Sequence, residues 1–541
     1  MIHLPGSKSI SIRALLFASF QNKTLRIKNL LECDDTKNLI NALKAVGVKI
    51  NKKNDEFFVS GGKWHSPKKV IDFGDNATGL RLFLAAASAM KISAKITGSK
   101  RLLERPHSQL IKALNKAGVN INDSFTITKN NKKLGPIEIQ DPNSSQFISA
   151  AIIFHHLTKQ KLFCIQKTIS QPYAELTKNM LNEFKKQPSI YKIEPDASSL
   201  APFIAFAMIS GKTIEIADLS LSSKQADMQV IKECKKIGAK TMQKKDKLIF
   251  IPPPKLNKSF NNINGENFPD GVLSLMMIAP FLPSKTEFTG IHHLKFKESD
   301  RLALVAKNLK KMGVKVEINK SELTIFPSKP KKTKVDPEND HRIAMNFAIL
   351  GAKINNPNTV SKSFPNFFQT LANLQSIILI GSRGTGKTTL GKLLAKKTNL
   401  PFKDLDEILE KKHKAISLIQ KEKITWEEFR KLESKALFEI LNSKTPFVLA
   451  TGGGTAEKSK NRNEIQKIGT VIYLHGNEKE ISKGLAKRKN TPKYKNSAAQ
   501  DLKKRHLLYS PIANLEISVT PWDAKTSLKQ ILTSLRHDIN R

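Results

Sequence analysis

The stretch "SIILIGSRGTGKTTLGKLLAKKT", residues 376–398, decides the fold of the last third of the chain. An apolar strand pattern, a glycine-rich loop and a helical pattern follow one another, and Gly381, Gly386, Lys387 and Thr388 satisfy the spacing G-x-x-x-x-G-K-[ST]. Such a loop turns backbone N–H groups towards phosphates, its lysine neutralises their β/γ oxygens, and its threonine hydroxyl is placed for Mg²⁺. The sequence therefore predicts a nucleotide-binding α/β unit that begins near residue 375.

Two carboxylates follow this loop. Asp404 and Asp406 stand two residues apart at the end of a probable strand, so both can face the same side. One could serve a metal ion and the other a substrate hydroxyl. The alternative is an acidic helix N-terminus, which the helix dipole favours. Further on, "FVLATGGGT" runs from a buried strand into three glycines, which indicates close backbone approach to a ligand.

Upstream of the loop, one phrase recurs: "LKAVGVKIN" at 43–51, "LNKAGVNIN" at 114–122, "CKKIGAKT" at 234–241 and "LKKMGVKVEIN" at 309–319. Each copy predicts a helix end, a glycine C-cap and then a strand. The long gap between the second and third copies leaves room for one degraded or deleted copy. A repeated α/β unit is therefore expected, and the length of 541 residues predicts at least three compact units.

Composition indicates which partners to expect. Lys plus Arg number 91 against 47 Asp plus Glu, a formal charge of +44 that attracts anionic ligands. Only 3 Trp and 5 Tyr offer few stacking platforms, so we expect no nucleic-acid partner, although a basic nucleic-acid-binding protein is the non-enzyme alternative. Three cysteines without metal-ligand spacing, no signal peptide and no membrane-length apolar run predict a cytoplasmic protein, expected to be monomeric.

Basic residues in the first 374 residues sit in loops of small residues. Examples are "PGSKSISIR", "GDNATGLR", "LERPHSQL", "KFKESDRL", "NDHR" and "VSKSF". Arg forks hold carboxylate and phosphate in bidentate fashion, while Ser and Gly admit the ligand to the backbone. This pattern favours small, multiply charged anions over a polyanion that lies across an open face.

Residues 376–520 resemble shikimate kinase in the phosphate loop, the D-x-D pair, F-R-x-x-E, the triple glycine and "KKRHLLY". The resemblance implies ATP and Mg²⁺ as cofactors, Thr388 and Asp404 at the metal, and Asp406 as the group that orients or deprotonates the shikimate 3-hydroxyl. It also implies shikimate contacts from Arg430, Gly453 and Arg505, and ATP contacts from Gly381, Gly384, Gly386, Lys387, Thr388 and Thr389.

The lid of this kinase departs from the family pattern. "KRKNTPKYK" has Thr491 where the family carries an arginine that would stabilise charge on the transferring phosphoryl group. Arg488 or Lys489 could substitute for it. A nucleotide-binding unit with weak or no kinase turnover is therefore the alternative for this region.

Residues 2–374 resemble 5-enolpyruvylshikimate-3-phosphate (EPSP) synthase, the carboxyvinyl transferase that acts on the product of shikimate kinase. The resemblance is carried by "LPGSKSIS", "ERP", "SSQF", "DASS", "KESDR", "NDHR" and "KSFP". It implies that shikimate 3-phosphate is bound by Lys8, Ser9, Arg13, Ser144, Ser145, Gln146, Ser170 and Tyr173. It implies that phosphoenolpyruvate is held by Arg105, Arg301, Arg342 and Lys362.

The transferase chemistry needs two carboxyl groups, because the 5-hydroxyl loses a proton while the enol methylene gains one. The resemblance assigns Asp270 to the hydroxyl and Glu298 to the methylene, with Lys8 and Lys297 as flanking cations and no cofactor. Ala77 stands where the family usually has glycine, beside the phosphoenolpyruvate site, which predicts reduced sensitivity to the family's inhibitor glyphosate.

The predicted fold class is α/β. Residues 1–374 should form a two-lobed, inside-out α/β barrel of repeated units, with lobe one from 1–7 plus about 196–374 and lobe two from about 8–195. Residues 375–541 should form a phosphate-loop kinase whose parallel sheet is flanked by helices. The predicted function is bifunctional, ATP-dependent 3-phosphorylation of shikimate followed by carboxyvinyl transfer. The paralogous cell-wall transferase is disfavoured, because "LERPHSQ" lacks the cysteine that it normally uses.

Overall fold

A computed structural model of the chain describes all residues except 130–132, 140, 141, 143, 161–169, 320, 415, 416, 418, 420–422, 444, 467, 479, 480, 482–497, 521 and 541. Its contacts divide the chain into two compact units, Ile2–Pro365 and Asn366–Arg541, and group Met1 with the second. The helix Phe367–Gln375 thus lies in the second unit. The domain bounds 1–374 and 375–541, and the lobe bounds, stay predictions.

Within its described residues, the first unit repeats one motif four times: a strand, a helix, a glycine and a β-hairpin. The glycines are those of the recurring phrase, and all have positive φ: Gly47 (100°), Gly118 (94°), Gly238 (103°) and Gly313 (80°). A left-handed glycine just after a helix end lets the chain leave the helix and enter a strand, so the predicted repeat is confirmed. In the order strand, helix and two hairpin strands, the first copy is Thr24–Lys28, Asp34–Ala45, Lys49–Lys53 and Glu56–Ser60, and the second is Ala94–Thr97, Ser108–Lys116, Asn120–Ile121 and Thr126–Thr128. The third copy is Ile214–Ala217, Gln229–Lys236, Lys240–Gln243 and Lys247–Ile251, and the fourth is Thr286–Thr289, Arg301–Lys311, Val316–Asn319 and Glu322–Ile325.

The strands of each copy pair in the same way. The last strand lies antiparallel between the other two, and a further strand runs parallel beside the first. That parallel strand is Ile190–Lys192 in the first copy, Ile71–Asp72 in the second and Asn262–Asn264 in the fourth. In the third copy a single bridge between Ile2 and Ile216 takes its place.

A reduced fifth copy follows, which the sequence analysis missed. The parallel strands Lys334–Val335 and Lys353–Ile354 are joined by the helix His341–Ala348 and by Gly351, whose φ is 78°. Each strand has only two residues, too few for a period-two pattern.

Largely buried helices pack behind these sheets, and one apolar cluster runs from Ile10 to Ile193. The remaining helices of this unit are Lys8–Ala18, Ala77–Ala89, Lys100–Leu103, Ser145–Thr158, Gln171–Phe184, Ala197–Ser210 and Val272–Ile278, and its short 3₁₀ helices are Ala226–Met228, Ala279–Phe281, His292–Phe296 and Pro357–Lys362. Among the described residues of the whole chain, we find no helix with the length and apolar character that crossing a membrane requires.

The second unit is built on a five-stranded, fully parallel sheet. Its strands lie in the order Phe402–Asp404, Val448–Ala450, Ile377–Ile380, Thr470–His475 and Leu515–Ser518. The central strand is buried at all four positions, as expected for a parallel sheet covered on both faces. The predicted parallel sheet with flanking helices is confirmed; the helices are Phe367–Gln375, Lys387–Thr398, Leu405–His413, Trp426–Leu441, Ser459–Gln466, Ala498–Tyr509 and Ala524–Asn540, with 3₁₀ turns Thr455–Glu457 and Ser510–Ile512.

Candidate functional site

Helix N-termini surround a cavity of about 280 Å³ in the first unit. Lys8, Ala77, Ser145, Arg301 and His341 line it, and each is the first residue of its helix. The unpaired N–H groups and the positive dipole end of a helix favour anions. Five such ends converge on this cavity, so its backbone alone suits a negatively charged ligand.

The structure brings together most of the residues predicted for this site. The predicted residues that line the cavity are Lys8, Ser9, Arg13, Ala77, Arg105, Ser144, Ser145, Gln146, Ser170, Tyr173, Asp270, Lys297, Glu298 and Arg301. Arg342 and Lys362 lie behind this lining, ion-paired to acidic residues. Lining residues that the sequence analysis did not single out include Asp35, Asp75, Thr78, Arg81 and His341, four of which stand in the small-residue loops already quoted.

Two buried arginines alternate with three aspartates beneath the cavity. Arg301 contacts Asp270 (Nη1 to Oδ1, 2.7 Å) and Asp340 (Nε to Oδ2, 2.7 Å). Arg342 contacts the other oxygen of Asp270 (3.1 Å) and Asp196 (3.6 Å). Both arginines are at most 2% exposed. Asp270 is therefore held between two guanidinium groups in one orientation.

Neighbouring cations favour the ionised form of both candidate acid–base carboxylates. Burial works to raise the pKa of Asp270, but Arg342, Arg301 and Lys297 outweigh it and hold that pKa far below its usual range. Burial likewise opposes the ionised form of Glu298, yet the neighbouring His341, Lys362 and Lys8 hold its pKa well below the usual value. Glu298 lies 2.8 Å from His341 Nδ1 and 3.6 Å from Lys362 Nζ. Its charge state thus depends on cations that an anionic ligand would also contact.

Other cations of the site bond to neutral groups. In the described structure Arg13, 1% exposed, donates to Thr177, Ser149 and backbone oxygens, and Arg81 donates to Gln146 Oε1 (2.6 Å) and Pro106 O (2.8 Å). Burial lowers the pKa of Arg13 to about 10 and places the pKa of Arg81 well below its usual value. Buried cations without a carboxylate partner are costly, which favours an anionic ligand here.

Lys297 is a buried cation whose pKa is lowered. Burial, together with the positive charges of Arg301 and Arg105, lowers the pKa of its amine to about 8, against the attraction of Asp270. Lys8 differs, because Asp35 lies 3.1 Å from its Nζ. Burial opposes the charge of Lys8, but Asp35 and Glu298 raise its pKa above the ordinary value. Lys8 therefore stays charged, while Lys297 titrates near the working range of an enzyme.

In the second unit, the phosphate loop has the predicted geometry. Gly381, Gly384 and Gly386 have φ of 150°, 86° and 78°, which favour glycine. Lys387 folds over the loop and donates to Gly381 O and Ser382 O, both at 2.8 Å. The helix Lys387–Thr398 begins directly after the loop. A helix N-terminus and a buried ammonium thus face the same point, as phosphate binding requires.

Asp404 caps a helix, as one interpretation of the sequence predicted, and its second oxygen is placed compatibly with the other, a metal ligand. Its Oδ1 accepts from the backbone N–H groups of Asp406 (3.0 Å) and Glu407 (3.4 Å), so it caps the helix Leu405–His413. Its Oδ2 accepts from the Thr388 hydroxyl at 2.7 Å. A hydroxyl and a carboxylate oxygen side by side are the ligands that Mg²⁺ prefers, so this pair fits the predicted metal.

The remaining predicted residues lie around the triple glycine. Arg430 pairs with Glu433 (2.6 Å), and a Cβ built on Gly454 would lie 2.1 Å from Arg430 Nη2. Arg505 pairs with Glu457 (2.8 Å), and the Tyr509 hydroxyl, on the same helix, donates to Gly453 O (2.9 Å).

Asp406 faces this region, because a Cβ on Gly452 would lie 2.9 Å from its Oδ1. Burial, together with Asp404 and Glu433, raises the pKa of the Asp406 carboxyl, as suits a proton acceptor. Thr491, Arg488 and Lys489 of the predicted lid lie outside the described residues.

Comparisons with known proteins agree with both halves of this description. A family model described as EPSP synthase (3-phosphoshikimate 1-carboxyvinyltransferase) matches residues 1–371, and one described as shikimate kinase matches residues 383–536. Pentafunctional AROM polypeptide 2 of Lodderomyces elongisporus is 30% identical over 94% of this chain, which spans 38% of that polypeptide. The 3-phosphoshikimate 1-carboxyvinyltransferase of Sulfurovum sp. is 32% identical, with 69% of this chain and 96% of that protein covered.

A solved structure resembles the first unit. EPSP synthase from Acinetobacter baumannii superposes with a TM-score of 0.55 at 23% identity, covering 68% of this chain and 94% of that one. This likeness confirms the predicted fold of the first unit.

Proposed function

The chain belongs to the EPSP synthase family and continues into a shikimate kinase region, and on this premise we propose that it catalyses two consecutive transfers. The second unit phosphorylates the 3-hydroxyl of shikimate with ATP, and the first unit transfers the carboxyvinyl group of phosphoenolpyruvate to the 5-hydroxyl of the product. One observation carries the proposal: Lys8, Arg105 and Arg301 converge on a single cavity that also holds Asp270 and Glu298.

Asp270 is suited to take the proton of the 5-hydroxyl. Its carboxylate lines the cavity and is held by Arg301 and Arg342, which favour its ionised form, so it can accept a proton without first reorienting. A base held by charged hydrogen bonds loses basicity but gains position. The proton of the 5-hydroxyl would pass to the Asp270 carboxylate, whose negative charge Arg301 and Arg342 already balance.

Glu298 is suited to give a proton to the methylene carbon only when the substrate is bound. In the free protein Lys8, Lys362 and His341 favour its ionised form. Phosphoenolpyruvate carries phosphate and carboxylate charges that would pair with Lys8, Lys362 and Arg105. Once Lys8 and Lys362 are neutralised, less positive charge opposes the effect of burial, so the pKa of Glu298 rises and the residue becomes a better acid when the substrate is bound.

In the second unit, Asp406 is suited to accept the proton of the shikimate 3-hydroxyl, because its pKa is raised and it lies among Gly452, Glu433 and Asp404. Lys387 holds the β/γ oxygens of ATP, and Arg430 and Arg505 bind the shikimate carboxylate. Thr388 and Asp404 would hold Mg²⁺, which when bound would supply positive charge next to the phosphate oxygens. In the first unit, a small cavity with several cations in its lining supports small anions as ligands. We propose a cytoplasmic monomer with no nucleic-acid partner.

A two-stage assay on the purified full chain tests this function. ATP and shikimate are supplied first, and phosphoenolpyruvate is added afterwards. We expect Lys387→Ala to abolish shikimate 3-phosphate formation while supplied shikimate 3-phosphate is still converted, and Arg342→Ala to do the reverse. Loss of both steps in either variant would contradict the division of labour. Transferase turnover without any kinase turnover in the unsubstituted chain would show that the second unit only binds its ligands.

A further inference from the structure

A buried carboxylate that the proposed mechanism does not use lies behind the cavity. Asp227 belongs to the short helix Ala226–Met228 and is 3% exposed. Its Oδ1 accepts from the backbone N–H of Gly271 at 2.9 Å. Its Oδ2 accepts from the Tyr173 hydroxyl at 3.3 Å and, in a short hydrogen bond, from the Ser198 hydroxyl. Three donors from three separate segments therefore meet on one carboxylate.

Two of those donors belong to the site. Tyr173 lines the cavity, and because its hydroxyl is turned to Asp227, its ring is the part left to contact a ligand. Gly271 directly follows Asp270, so the bond to its amide fixes the backbone that carries the proposed base. The fit is close, since a Cβ on Gly271 would lie 2.9 Å from Asp227 Oδ1 and 2.6 Å from Val230 Cγ2.

We propose that Asp227 is a positioning residue of the transferase site, which holds the Tyr173 ring and the Asp270 backbone in one arrangement. This inference rests on the proposed function. Tyr173 is about a hundred positions before Asp270 in the chain, and each is anchored to the same carboxylate. Asp227 thereby sets the position of the shikimate 3-phosphate ring relative to the base Asp270, although Asp227 need not touch either substrate.

The charge of Asp227 determines how firmly it holds the Tyr173 hydroxyl and the Gly271 amide. Burial, followed by the negative charge of Asp270, raises the pKa of Asp227 to about 6, while the Ser198 hydroxyl lowers it. Above that pH the carboxylate accepts all three hydrogen bonds; below it, one oxygen carries a proton and competes with the Tyr173 and Ser198 donors.

Among the titratable groups packed here, Asp270 and Tyr173 have pKa values far from 6. Arg342 and Asp196 face the same region from the helix His341–Ala348 and from the N-cap of Ala197–Ser210. The pKa of Asp270 lies far below its usual range, held there by Arg342 and Arg301 against burial, and burial raises the pKa of Tyr173 well above its usual value. The transferase rate should therefore show an acid limb that belongs to Asp227.

The experiment measures transferase kinetics of the full chain from pH 5 to 8 with shikimate 3-phosphate and phosphoenolpyruvate. Asp227→Asn keeps the shape but removes the charge. We expect its kcat/KM for shikimate 3-phosphate to fall about ten- to a hundredfold, the range for hydrogen bonds to a charged group. We expect its acid limb near pH 6 to be lost, and its KM for phosphoenolpyruvate to stay within about threefold.

Ser198→Ala provides a milder second variant. It removes one donor from the ionised carboxylate, so the pKa of Asp227 should rise and the acid limb should move to higher pH. If Asp227→Asn fails to fold, as judged by its thermal transition, this shift decides the question. Asp246→Asn, an exposed charge in the same unit, should leave the profile unchanged.

An Asp227→Asn enzyme with wild-type kcat/KM and an intact acid limb, or an unshifted limb in Ser198→Ala, would overturn the inference. These results require that the unsubstituted chain converts shikimate 3-phosphate. If it does not, the proposed function fails instead. The kinase step, assayed in the same preparations, should be equal in all variants.

Discussion

Asp340 should be among the most sensitive positions in the first unit. Its side chain is 0% exposed and accepts hydrogen bonds from Arg301 Nε (2.7 Å), from the Ser299 hydroxyl (3.1 Å) and from the backbone N–H of Arg342 (2.9 Å). The last of these makes it the N-cap of the helix His341–Ala348. Replacement by alanine removes a charge partner and a helix cap at once.

The decrease in the free energy of unfolding depends on which of these two losses is larger. Removing one member of a buried ion pair costs about 3–5 kcal/mol, because the other charge stays buried. Loss of an N-cap costs about 1 kcal/mol. Arg301 retains Asp270 at 2.7 Å, which limits the first loss. Since the losses share Asp340 and do not add fully, we expect Asp340→Ala to lower the free energy of unfolding of this unit by about 4 kcal/mol.

Urea unfolding can isolate this unit through its one tryptophan. Trp64 is the sole tryptophan among residues 2–365 and is buried, stacked on Phe83 with ring centroids 5.2 Å apart. In a variant that also carries Trp426→Phe and Trp522→Phe, the fluorescence of Trp64 alone reports the unfolding of the first unit.

The control for this experiment is Lys192→Ala, which breaks an exposed pair with Asp218 at 3.7 Å and should cost at most about 1 kcal/mol. Equal costs for Asp340→Ala and Lys192→Ala would refute the reasoning.

Three further predictions concern ligands. The affinity for shikimate 3-phosphate should fall as pH rises through about 8, because the Lys297 amine loses its charge there, and titration calorimetry on Lys297→Met should show no such fall. Gly386→Ala should abolish ATP binding in equilibrium dialysis but spare the transferase, because φ is 78° and the new Cβ would lie 1.9 Å from the Trp522 ring. Ala77→Gly should increase inhibition of the transferase by glyphosate, because Ala77 lines the cavity; unchanged inhibition constants would contradict the predicted obstruction.

Features encoded within a short window were predictable from the sequence. The glycines of the recurring phrase each end a helix, and their left-handed conformation depends only on neighbouring residues. The phosphate loop is equally local, from its strand to its helix. The copy around Gly351 escaped notice because its strands are short and its preceding helix, "HRIAMNFA", lacks the lysines of the other copies.

Features that depend on tertiary pairing were not predictable in the same way. Lys8 was proposed from its motif, but nothing near it indicates that Asp35 lies 3.1 Å from its ammonium. Asp227 stands in an unremarkable "KQADMQ" stretch and gains its three donors only from the fold. A family resemblance predicts the residues that contact a ligand. The residues that orient them, such as Asp35 and Asp227, can be identified only from the tertiary structure.

The helix Phe367–Gln375 has a practical consequence for anyone who expresses the two units separately. The side-chain amide of Gln369 donates a hydrogen bond to Leu441 O at 2.9 Å. Directly after the helix, the carbonyl of Ser376 accepts a hydrogen bond from the backbone N–H of Thr470 at 2.9 Å. A fragment of the second unit that starts at residue 376 would lose the first of these bonds and would expose the apolar surface against which the buried Leu371 and Ala372 now pack. Expression of the second unit as an independent polypeptide should therefore start at residue 366, eleven codons before its first strand begins at Ile377. A fragment cut at 376 should be less soluble.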